Sequence, residues 1–137
     1  MERPIDHHSA LIFTMVLVSA AEGEMTDAEL EMIGRQVRYL PVFRDFDHQR
    51  LTEVGRDCAA LLHREDGLDI ASEMIAEALP QPLRETAYAI ACDVAAADGS
   101  LAKGELDVLA LLRRRLNVDR LVAAAIERAA YARHATL

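Results

Sequence analysis

Tryptophan is absent from the 137 residues, aromatic side chains make up 4% of them, and there are only two cysteines. Each scarcity excludes something. Nucleic acid is a poor partner, because no aromatic platforms interleave with a basic stripe and a formal net charge of -8 repels phosphates. Cys58 and Cys92 stand far apart, in the helical patterns VGRDCAALL and AIACDVA, so they read as small core residues in a reducing compartment. The chain lacks GxxxxGK[ST] and GxGxxG, and no local Ser/His/Asp or Cys/His grouping offers a nucleophile with its base, so the expectation is a protein that is not an enzyme.

Long apolar runs are also missing. The uncharged stretch 9–21 is shorter than the roughly 20 residues a membrane helix needs. Glu2 and Asp6 offset Arg3, so the flank lacks the positive charge of a signal peptide. The expectation is a cytoplasmic chain with no direct membrane insertion, able at most to dock on a membrane protein.

What is present is apolar and helix-forming: 52% of residues are hydrophobic, mostly Ala, Leu, Val, Ile and Met. Length and composition fit a single domain over residues 1–137, and breakers divide it into about seven helical segments. The first, about 6–21, is apolar enough to be central. The second, 26–40, has a capping box from Thr26 and Glu29, an apolar face of Leu30, Ile33, Val37 and Leu40, and a stop at Pro41. The third, capped by Asp45 or Asp47, runs to 63. The fourth covers 68–79, following a boundary at Asp66-Gly67, and Pro82 sits in the first turn of the fifth, which runs to 97. The sixth, 102–116, uses Leu106, Leu109, Leu112 and Leu116. The seventh, 118–134, uses Leu121, Val122, Ala125, Ile126 and Ala129. No segment alternates like a strand, so the fold class is an all-α bundle. Arg113, Arg114 and Arg115 complement a helix C-terminus or form a docking edge. Asp6-His7-His8 lacks the i, i+4 spacing of a metal pair and reads as a cap.

One phrase occurs twice. Aligning AAEGEMTDAELEMI at Ala20 with AADGSLAKGELDVL at Ala96 gives identities at Ala21/Ala97, Gly23/Gly99, Glu29/Glu105 and Leu30/Leu106, and keeps an acid at Glu22/Asp98. The expectation is two pseudo-symmetric helix-turn-helix repeats, about 10–40 and 86–116. With Gly at the sixth position of an EF-hand loop, the acid falls at the fifth and the Glu at the twelfth. The first and third positions are Val18 and Ala20, or Val94 and Ala96, so neither loop can encircle Ca²⁺ alone. Two readings stay open. Packed together, the two corners can share a divalent cation, Ca²⁺ or Mg²⁺, held by Glu22, Glu29, Asp98 and Glu105, with Asp93 added from the preceding helix. Otherwise the acids and glycines simply end helices on an acidic surface.

The duplicated pattern A-(D/E)-G-x-Φ-x-x-x-E-L, Φ being apolar, in a chain of seven helical segments resembles the TerB family associated with tellurite resistance, from about His7 to Arg133. The resemblance implies a small all-helical accessory domain with an internal pseudo-twofold, acting beside other Ter-type proteins in metal, oxyanion or general stress response. It also implies a metal-binding patch on Glu22, Glu29, Asp98 and Glu105, and more loosely Asp93. The sequence departs from the pattern at Glu22, where Asp is more usual, and a longer side chain there alters any ligand geometry.

Overall fold

In α1 (His7–Ser19) every residue after His7 is buried, so the helix is apolar all round rather than along one stripe. Asp6 caps it, its Oδ1 accepting the Ser9 N–H at 2.7 Å. Thr14 and Ser19 take hydroxyls into the interior and donate them one turn back, to the carbonyls of Ala10 at 2.7 Å and Met15 at 2.9 Å.

The computed structural model describes residues 3–21, 23, 25–97, 99 and 103–137. Among these, six more helices and no strand follow α1: α2 (Asp27–Tyr39), α3 (Leu51–Leu62), α4 (Gly67–Ala78), α5 (Gln81–Ala96), α6 (Lys103–Arg115) and α7 (Arg120–His134). The all-α bundle expected from composition is the fold. Central α1 packs against α2, α3, α4, α5 and α6, while α5 also packs against α2, α6 and α7. Ala87, Ala91 and Ala95, one turn apart on α5, are wholly buried and let its neighbours approach closely.

Helix ends are tied by specific contacts. Thr26 and Glu29 form the expected capping box, and Pro82 lies in the first turn of α5. Asp47 caps a 3-10 turn at His48–Arg50, which leads into α3, rather than α3 itself. Gly67 begins α4 against α3, where a Cβ would lie 2.0 Å from the Leu61 carbonyl oxygen. Arg84 of α5 donates to the carbonyls of Ala76, Leu79 and Leu116, joining the C-terminal ends of α4 and α6. After α6 the chain reverses at Asn117, φ 56°, with Val118 N–H donating to Arg113 O and Asn117 N–H to Arg114 O. Arg115 in the last turn of α6 pairs with Asp69 and Glu73 of α4 at 3.3 and 3.2 Å.

The segment between α2 and α3 contributes to the core, with Phe43 and Phe46 buried and their rings against the His8 imidazole at 5.6 and 5.2 Å. Three apolar assignments are corrected. Leu30 and Leu106, expected inside, are 52% and 47% exposed, because Glu29 and Glu105 occupy the inward positions beside them. On α7 the expected face is rotated: Leu121, Ala125 and Ala129 face solvent, and Ala123 and Ala130 are buried. Glu127 fixes that rotation by accepting the hydroxyl of buried Tyr88.

Candidate functional site

The described residues of the two repeated phrases make equivalent backbone hydrogen bonds. In the first, Ala21 N–H donates to Val18 O at 3.2 Å and Gly23 N–H to Ala20 O at 3.2 Å. In the second, the equivalent bonds are Ala97 N–H to Val94 O at 3.2 Å and Gly99 N–H to Ala96 O at 3.1 Å. Gly23 and Gly99 have φ of 107° and 78°, and a Cβ on either would meet nothing within 4 Å. Glycine is needed at both corners for its left-handed backbone, not for space.

Each corner is followed by a glutamate in the first turn of the next helix, and both are buried, Glu29 at 4% exposure and Glu105 at 6%. Glu29 Oε1 accepts the Thr26 N–H at 2.9 Å, and Glu29 N–H donates to Thr26 Oγ1 at 3.1 Å. Pure apolar periodicity misses this burial; the repeated phrase singles out both glutamates, and at Glu29 the capping-box spacing from Thr26 does so as well. Met25 packs partly buried against the core. Glu22, Asp98 and Leu101 lie outside the described residues.

Asp93 has a different environment. Its Oδ2 accepts from Gln36 Nε2 at 3.0 Å, and its Oδ1 lies 2.6 Å from Arg133 Nη2 and 3.4 Å from His134 Nε2. A carboxylate so engaged with donors of α2 and α7 is a poor cation ligand. Among the described residues no three His, Cys, Asp or Glu side chains are grouped to hold a metal ion. Glu29, Asp93 and Glu105 therefore do not form a donor set by themselves.

The other candidates resolve into structural roles. His8 Nε2 sits 2.8 Å from the Val42 carbonyl and 3.3 Å from Asp45 Oδ1, joining α1 to the segment after α2. Cys58 and Cys92 are buried, and burial pushes each thiol up to about 12, reinforced by the charges of Asp57 and Glu127 respectively. Such thiols are not nucleophiles near neutral pH. Burial also raises the Tyr88 phenol, as does its hydrogen bond to Glu127. No helix among the described residues is long and apolar enough to cross a membrane.

The described residues form the all-helical bundle that the composition implied. No curated protein and no solved structure matches the chain. The profile of the family described as tellurite resistance protein TerB matches residues 8–128, and the chain belongs to that family.

Proposed function

We propose that this chain is a non-catalytic accessory domain of tellurite and stress resistance in the cytoplasm, and that it takes one divalent cation, Ca²⁺ or Mg²⁺, between its two acidic corners. The donors are Glu22, Glu29, Asp98 and Glu105; Asp93 is set aside because Arg133, Gln36 and His134 engage it. The observation supporting this reading is the matched burial of Glu29 and Glu105 while the adjacent Leu30 and Leu106 face solvent. Burying acid beside exposed leucine once is a local accident; twice, after glycines that close equivalent hydrogen bonds, it breaks the apolar rule at equivalent places, as functional sites do. The Thr26 N–H engages Glu29 Oε1, and hard oxygen donors of this kind select hard cations.

Thermal unfolding tests it. Metal-stripped protein gains stability on adding Ca²⁺ or Mg²⁺, by about 2.7 kcal/mol at a hundredfold excess over Kd. The gain disappears in Glu29→Gln with Glu105→Gln, a pair that keeps the capping box because Gln serves at that position as Glu does. No shift with any ion, or a shift that survives the double substitution, removes the cation from the proposal.

A second reading, a protein-interaction module without a cation, is favoured by exposed Leu30 and Leu106 beside the corners. On it, the partner, such as another Ter-type protein, is retained equally before and after chelation.

A further inference from the structure

A groove of about 410 Å³ opens where α2, α5 and α7 meet, lined by Arg35, Gln36, Asp93, Arg133 and His134 with Met32 and Tyr39 as its apolar members. Asp93 is its most enclosed charged group, with a side chain 13% exposed against 53% for Arg133. This one carboxylate fixes Gln36 of α2 and both Arg133 and His134 of α7. The donors it holds are not exhausted. A guanidinium carries five N–H groups and a primary amide two, so Arg133 and Gln36 keep hydrogens for a ligand. Arg35 is exposed and has no ion-pair partner among the described residues. Two guanidiniums against one carboxylate leave the groove cationic on a chain of net charge -8. Its volume suits a small organic molecule, and the Tyr39 ring supplies an apolar wall.

We propose that this groove binds a small phosphate monoester. Arg35 and Arg133 present planar forks that match phosphate oxygens, Gln36 adds a neutral donor, and Asp93 acts as a positioning residue that holds Arg133 and Gln36 in place. The site does not depend on the corner cation, since its members include none of Glu22, Glu29, Asp98 and Glu105.

The test is a titration of metal-stripped, desalted protein with inorganic phosphate and with glycerol 3-phosphate, followed by backbone amide NMR. It is run at constant ionic strength and above the second phosphate pKa of about 6, so that the monoester is a dianion. The expected result is saturable one-to-one binding, with the largest shifts at residues 35–39 and 133–135 and the monoester bound at least as tightly as phosphate. Arg35→Glu weakens it by at least about tenfold, as loss of a charge-assisted contact and gain of repulsion require. Arg128→Glu, on α7 but outside the groove, changes it by less than about twofold, the limit of screened long-range charge. Retained dispersion in the same spectra shows that each variant is folded. A response that matches chloride at equal ionic strength, equal losses in the two variants, or phosphate binding without monoester binding overturns the proposal.

Discussion

Arg133 Nη2 lies 2.6 Å from Asp93 Oδ1 and fastens the last turn of α7 to α5. Arg133 is half exposed, so solvent screens the pair, yet removing it leaves a largely enclosed carboxylate with only Gln36 and His134 beside it. Arg133→Ala is expected to cost about 1 kcal/mol in urea unfolding and to speed hydrogen exchange at the end of α7. Arg114→Ala, exposed in α6, stays within about 0.5 kcal/mol of the parent. Equal stabilities for the two variants would show that the end of α7 is held by apolar packing alone.

Arg84 is the contact that joins α4, α5 and α6. Arg84→Met retains the apolar stem but removes donors from the carbonyls of Ala76, Leu79 and Leu116, and is expected to destabilise by about 2 kcal/mol. Arg84→Lys recovers only part of that, because an ammonium cannot span three carbonyls as a planar fork does. Chemical denaturation of both variants measures the difference.

Glycine-to-alanine changes have opposite signs at different positions. Gly67→Ala forces a methyl group onto the Leu61 carbonyl and costs about 1–3 kcal/mol or more. Gly23→Ala and Gly99→Ala cost about 1–2 kcal/mol through backbone conformation alone. Gly34 and Gly55 lie inside α2 and α3 with open space around a Cβ, so alanine there stabilises by about 0.5–1 kcal/mol. Melting temperatures of the five variants order them directly.

Stability falls at both ends of the pH scale for identifiable reasons. Burial opposes ionisation of Asp6, but hydrogen bonds from Ser9 and the Arg50 guanidinium outweigh it and hold the carboxyl below its ordinary 3.8. Its contribution is complete above pH 3.8 and is lost as pH falls through the lower folded-state value; Asp6→Asn flattens this acid limb. Cys58 and Cys92 ionise near 12 in the folded chain, against an ordinary 9.0. Unfolded thiols therefore ionise first, and stability falls as pH rises from 9 towards 12. Both thiols resist alkylation at pH 8 until the protein unfolds, and labelling at the rate of free cysteine would contradict their burial.

Much of the fold was legible because local signals agreed. The unbroken apolar character of α1 marked a central helix, Thr26 and Pro82 marked helix starts through capping and fixed φ, and Gly67 marked the boundary between α3 and α4. The orientations of α2, α6 and α7 were less legible. Periodicity places Leu30, Leu106 and Leu121 inside, but the rotation of those helices answers to tertiary partners, as when Glu127 meets Tyr88. Arg84 carried no sequence signal, since its three carbonyl acceptors come from residues on two other elements. The corner glycines and the Glu that follows each were readable from the repetition itself. Asp93 stands close to the second corner along the chain, but its partners come from α2 and α7, which no local spacing reveals.

The central claim, that both corners contribute to one cation, is tested most directly by calorimetric titration of metal-stripped protein with Ca²⁺ and Mg²⁺. The account predicts one ion per chain, with affinity reduced at least about tenfold by Glu29→Gln alone and equally by Glu105→Gln alone, since each removes one charged donor from the same set. Two ions per chain, each lost with only one of these substitutions, or no binding heat and no change in the amide spectrum, would contradict it.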